Sequence, residues 1–252
     1  MTATEVFWLV LAGVGMGAIN NLAGAAGVLG LFALDLASGL TTTVANGSLR
    51  LAAIAIGLFG WVGFRTRGIR IPARAWRLAA CTGPGALLGV TMALRLPEAI
   101  YHAYLLTVMV AVLVQQLRHR TPTAVAAPTR TRAGAFLALS LVGLHMGFVQ
   151  VGVGLVAILA LSRFHSRNLI EINTTKMALV LVAATVSLLE FTRNSAIAWG
   201  PAAVLAIAAG GGSYWASRWS VSKGHAAVRT VVVVITVLVI AKTLWQVLRA
   251  GA

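Results

Sequence analysis

Apolar residues along this chain gather into runs of about twenty, the length a helix needs to cross a bilayer, separated by short polar or basic stretches. The runs cover 6–37, 41–64, 77–95, 99–117, 133–162, 172–192, 199–217 and 226–248. They predict an all-α polytopic membrane protein. Six have ordinary length; those at 6–37 and 133–162 are longer, and each is interrupted in its middle. The interruptions read Asn20-Asn21-Leu22-Ala23-Gly24-Ala25-Ala26-Gly27 and Gln150-Val151-Gly152-Val153-Gly154. Glycine and asparagine at that density weaken a helix and permit a turn. Each long run is therefore either one tilted, broken span or a re-entrant hairpin of two half-helices. The hairpin needs cover from protein or a wet cavity, because irregular backbone is not tolerated against lipid.

Composition agrees with the pattern. Hydrophobic residues make up 59% of the 252 positions and charged residues 10%, and the mean hydropathy is +0.91, far from the balance of a soluble domain. The formal charge of +15 comes from 20 Lys and Arg against 5 Asp and Glu, mostly in the short loops. That distribution fits cytoplasmic loops facing anionic lipid. It argues against nucleic-acid binding, for which there is no basic, aromatic-interleaved soluble region. Cys81 is alone in the sequence, which excludes an intrachain disulfide and a thiolate metal cluster. Met1-Thr2-Ala3-Thr4-Glu5 has no basic n-region, so the first apolar run is expected to stay in the mature protein.

The loop charges also suggest an orientation. The basic groups Arg65, Arg67, Arg70, Arg74, Arg77 and Arg118, Arg120, Arg130, Arg132 both belong inside by the positive-inside rule, two spans apart. If the run at 133–162 is re-entrant, then Arg163, Arg167, Arg218 and Lys223 also stay inside and Arg193 goes out. If it crosses once, those four land outside. The re-entrant reading obeys the rule better, although it puts Lys242 and Arg249 outside. It places the N-terminus outside too, and gives each half one hairpin and three full spans. An odd number of crossings would make two tandem repeats inverted, as in many secondary transporters.

A duplication supports two halves. Val44-Ala45-Asn46-Gly47-Ser48-Leu49-Arg50 and Ile172-Asn173-Thr174-Thr175-Lys176 each carry a cation just after an asparagine inside an apolar run, and Asn173 lies 127 positions after Asn46. At the same offset Gly83-Pro84-Gly85-Ala86 falls on Gly210-Gly211-Gly212-Ser213, while Gly17 matches Gly147 only after a gap of three. The expected organisation is a first repeat over 1–120, a cytoplasmic linker over 121–131 containing Pro122 and Pro128, and a second repeat over 132–252. Small residues at 83–89 and 210–216 should let spans approach closely. A charge at mid-bilayer costs about 2.5–3.5 kcal/mol on insertion scales, so two at matched positions point to a site for something negative.

These motifs resemble the TauE/SafE (TSUP, sulfite exporter) family of membrane anion permeases. Gly17 through Gly27 is similar to its glycine-rich opening, and Val44-Ala45-Asn46 and Gly63-Phe64-Arg65-Thr66-Arg67-Gly68 to the stretches between that opening and its basic loop. Gly83-Pro84-Gly85-Ala86-Leu87-Leu88-Gly89 with Leu96-Pro97 is similar to its third span and turn, and Gly147-Phe148 with Asn173-Thr174-Thr175-Lys176 to its repeated patterns. The chain departs from the family in having Ala25-Ala26-Gly27 where a glycine triplet is common. The resemblance implies transport of sulfite, sulfoacetate or another organosulfonate across the bacterial inner membrane. A passive anion channel is the alternative, and after it a membrane-embedded enzyme or assembly factor. No catalytic constellation or P-loop is evident in the sequence, and no cofactor or metal is expected.

For such an anion, the candidate contacts are Arg50 and Lys176, with Asn46 one turn before the first and Asn173 three residues before the second. An arginine fork matches two oxygens of a sulfonate or sulfite, and a lysine offers a point charge. Against these stand a structural pair between Arg50 and Asp35 or another buried partner, and snorkelling of Lys176 to the interface. Asn20, Asn21 and Gln150, at the interruptions, are balanced between capping a break and touching substrate, while Ser48, Thr174 and Thr175 either complete a cage or bond their own backbone. His145 is a proton-relay candidate or, more simply, a core hydrogen-bonding group. Expected partners are the small anion and membrane lipids, with a homo-oligomer left open.

Overall fold

A computed structural model describes residues 1–22, 27–117, 132–166 and 168–220. Residues 23–26 of the first interruption, the basic stretch and linker at 118–131, Arg167, and the last apolar run at 226–248 with Lys223, Lys242 and Arg249 lie outside the described residues. Those described form ten helices and no strand: α1 Ala3–Leu22, α2 Gly27–Ser38, α3 Thr42–Arg65, α4 Ala73–Ala80, α5 Thr82–Arg95, α6 Glu98–Leu117, α7 Arg132–Phe148, α8 Val153–Phe164, α9 Leu169–Arg193 and α10 Trp199–Ser220. Four stretches are long and apolar enough to cross a membrane: Ala3–Asn20, Thr42–Arg65, Ala73–Arg95 and Ile170–Arg193.

Both long runs are broken where glycine and amide residues cluster. The first gives α1 and α2, the second α7 and α8. The 12 residues of α2 and of α8 span about 18 Å at 1.5 Å per residue, too short for a bilayer core of about 30 Å. Met16 of α1 meets Gly30 of α2, and Gly15 meets Leu29, so α2 packs against α1 and does not continue it as one straight span. The run expected over 77–95 begins earlier, at Ala73, and is interrupted at Cys81. Pro84 has no N–H to return to the carbonyl of Ala80, which accounts for that interruption.

Glycines set the closest helix contacts. A Cβ on Gly17 would collide with Ala209 O of α10, and one on Gly212 with Val14 O of α1. Gly85 and Gly89 of α5 lie equally close to Ser140 O and Leu144 O of α7, while Gly143 and Gly147 of α7 press on Thr82 O and Ala86 O. The small residues at 85–89 and 212 thus admit a neighbouring backbone, as glycine faces do between membrane helices. A Cβ on Gly83 or Gly211 would meet nothing within 4 Å.

These contacts fix directions. α1, α10 and α3 run parallel: Gly13 and Gly17 meet Ala208 and Ala209 in order, and Ser48, Ile56 and Gly63 meet Ala198, Ser213 and Ser217 in order. α5 and α7 are parallel to each other. α9 is antiparallel to α3, because Gly47 meets Phe191 while Gly57 meets Leu181 and Met177. α4 and α5 pack along α9, and Arg74 of α4 is within electrostatic reach of His165 just before α9. The main packing partners form an exchange: α1 lies on α10 and α7 lies on α5. α3 and α9, the most buried of the four long apolar stretches, pack on each other.

Candidate functional site

The site is built where helices stop. α7 ends at Phe148, residues 149–152 are non-helical with Gly152 at φ +71°, and α8 begins at Val153. A helix end leaves its last carbonyls without intrahelical donors and carries the negative end of the helix dipole. Arg50 of α3 answers both needs. Its Nη1 donates to Met146 O and, at 2.7 Å, to Gln150 Oε1; its Nη2 donates to Gly147 O at 3.0 Å and to Asn46 Oδ1 at 2.7 Å. Asn46, one turn earlier on the same face, turns its Nδ2 to Phe148 O at 2.9 Å. The guanidinium also lies 5.3 Å from the centre of the Phe191 ring, a cation–π contact.

Arg50 is wholly buried, and the acceptors just named are neutral oxygens. Its four Nη hydrogens are therefore taken by the protein while these bonds leave its charge without an anion. Among the described residues its Nε has no hydrogen-bond partner.

Lys176 of α9 occupies the reciprocal position. It is 1% exposed and its Nζ donates to Asn20 O, 3.0 Å away in the last turn of α1. So a cation of α3 binds the end of α7, and a cation of α9 binds the end of α1. The described residues accept one of the three ammonium hydrogens. Snorkelling is not its arrangement: the ammonium is held inside the bundle.

The two breaks touch. A Cβ on Gly27, at the start of α2, would collide with Gln150 O. One junction therefore contains Gly27 and Gln150, with Arg50 beside it and Asn20 and Lys176 at the end of α1. The cations are not level within it. Because α3 and α9 are antiparallel, Arg50 lies opposite Phe191 and Lys176 is next to Met177, opposite Gly57. The seven residues from Arg50 to Gly57 correspond to about 10 Å along the axis. Helical side chains lean toward their own N-terminus, which directs the two cations apart.

His145 of α7 braces the same break. Its Nε2 donates to Val151 O at 2.8 Å and its Nδ1 is 2.7 Å from the Tyr104 hydroxyl of α6. A carbonyl can only accept, so in the neutral ring Nδ1 accepts from the phenol. The Tyr104 ring also packs edge-on against Phe148, 5.0 Å between centres.

Other residues singled out in the sequence are used elsewhere. Ser48 is fully buried, and its Oγ accepts from Ala198 N at 3.0 Å, just ahead of α10. Thr174 donates to Glu171 O within its own helix, at 3.0 Å. Thr175 Oγ1 lies 3.0 Å from His165 Nε2, which is also 3.2 Å from Glu171 Oε1. Asn173 is half-buried. The side chain of Asn21 lies outside the described residues. Conversely, Tyr101, Tyr104 and Phe191 line the site without having been singled out, and Phe148 was noted only as part of the Gly147-Phe148 motif. In the sequence these aromatic residues read as ordinary apolar positions.

Comparison with known proteins adds one match. The model of the family described as sulfite exporter TauE/SafE matches residues 9–243, nearly the whole chain. No curated protein and no solved structure matches it. On that match over nearly the whole chain, the protein belongs to the TauE/SafE family of sulfite exporters.

Proposed function

We propose that this multi-pass membrane protein is a secondary permease for a small sulfur oxyanion, sulfite or an organosulfonate such as sulfoacetate, in the bacterial inner membrane. The observation that carries this reading is the pair of buried cations at the touching helix breaks, each held by the broken helix of the other half through neutral oxygens. Neutral oxygens take up part of the hydrogen-bonding capacity of the guanidinium and the ammonium, and they do not cancel the charge of either. An anion entering between Arg50 and Lys176 supplies that charge while the protein keeps the cations in position. Gln150 and Asn20 border its path, and the ends of α1 and α7 are the elements it must pass.

The working motion is alternating access between two inverted repeats, 1–120 and 132–252, joined by the linker at 121–131. Two features support it: the exchange of α1 onto α10 and α7 onto α5, and the opposite directions of α3 and α9. Exchanging the halves turns each of these relationships into its counterpart, as a pseudo-two-fold axis in the membrane plane requires. Rocking one repeat on the other then opens the junction to either side. The broken run of α1 and α2 enters from the side where α3 begins.

Purified protein in liposomes preloaded with unlabelled sulfite tests this reading by uptake of labelled sulfite. A secondary permease gives saturable uptake accelerated by the internal anion. Uptake that is linear in concentration and indifferent to preloading would identify a channel, and none at all would remove sulfite from the assignment.

A further inference from the structure

Two buried donors at the site lack any hydrogen-bond partner among the described residues: Arg50 Nε–H and the hydroxyl of Tyr101 on α6. Tyr101 is 5% exposed, its ring centre is 5.6 Å from that of Phe148, and the phenol and guanidinium are within electrostatic reach of each other. A buried donor without an acceptor is destabilising. One on a cation bonded to neutral oxygens and one near it mark a place for an acceptor that carries negative charge.

We propose that Arg50 Nε–H and Tyr101 O–H together seat one oxygen of the transported oxyanion, which makes Tyr101 a substrate-binding residue. This inference rests on the permease reading above. The guanidinium plane is already fixed: Met146, Gln150, Gly147 and Asn46 use its four Nη hydrogens. Its Nε–H is the donor left over, and it needs no rearrangement to bind. A phenol donates strongly to an anionic oxygen. The packing of its ring on Phe148 holds the hydroxyl in place, so little entropy is lost when the anion arrives. Tyr104, on the same helix, is committed to His145 instead.

Tyr101→Phe removes the hydroxyl and keeps the ring. With the full-length protein in liposomes, the expected result is a KM for sulfite raised about 10- to 100-fold, the worth of one hydrogen bond to a charged group, with the maximal rate little changed. In detergent, the variant should melt close to the parent without ligand and lose the stabilisation that sulfite gives the parent. Saturable sulfite uptake with an unchanged KM in Tyr101→Phe would overturn the inference alone, leaving water as the occupant. A parent protein that neither transports nor is stabilised by sulfite would overturn both this inference and the permease reading.

Discussion

Gln150 receives Arg50 Nη1 at 2.7 Å across 100 positions of sequence, tying the middle of α3 to the break at the end of α7. The amide is 7% exposed and the guanidinium 0%, so this bond forms where water cannot replace it. It also fixes the fork whose remaining donor faces the site.

Removing that acceptor should loosen the junction. Gln150→Leu keeps the bulk, loses one hydrogen bond to a charged group and leaves a buried N–H of Arg50 without that acceptor, at a cost of about 1.5–3 kcal/mol. Thermal unfolding in detergent checks this. Asn173→Ala, at a half-buried position, should stay within about 0.5 kcal/mol of the parent.

The contact between the breaks makes a second, sharper prediction. A Cβ on Gly27 would meet the carbonyl of Gln150 and the Cα of Val151, which are backbone atoms and cannot rotate aside. Gly27→Ala should therefore destabilise by at least about 1–3 kcal/mol, or lower the folded yield. Gly211→Ala, with open space around it, should fold as the parent does and gain slightly in helix propensity. Size-exclusion profiles and melting temperatures of the two variants separate these outcomes.

His165, in the connection between α8 and α9, gives stability a pH dependence. Burial pushes its pKa below the ordinary 6.5; Glu171 opposes that shift and Arg74 adds to it. The folded state thus takes up a proton less readily than the unfolded one. This contribution to stability is fully present at neutral pH and higher, and is lost as pH falls through about 6.5 toward the lowered folded pKa. The melting temperature should drop between pH 7.5 and pH 5.5, and His165→Gln should flatten that part of the curve.

Much of the helix plan was readable from hydropathy, because lipid demands long apolar segments and loops here are short. The run at 41–64 became Thr42–Arg65, that at 172–192 Leu169–Arg193, and that at 199–217 Trp199–Ser220. Arg50 and Lys176 stood out as costly charges, and both are buried. Their partners were not readable. Arg50 is held mainly by oxygens of α7, about 100 positions away, some of them main-chain atoms that any residue supplies. Ser48 looked like part of a cage, yet it lies two positions from Arg50 on a helix, which turns it to another face and toward Ala198. Tyr101 carried no signal at all. Its hydroxyl matters only because the fold brings α6 beside Phe148.

The most direct measurement is sulfite uptake by liposomes containing the parent, Arg50→Gln or Lys176→Gln, with orientation and folded fraction matched. Both substitutions keep a polar side chain and remove the charge. If these cations hold the anion, each variant should lose most of the uptake, with a rate at subsaturating sulfite at least about tenfold below the parent, equivalent to about 1.4 kcal/mol or more. Uptake equal to the parent's in both variants would contradict an anion site at the two cations.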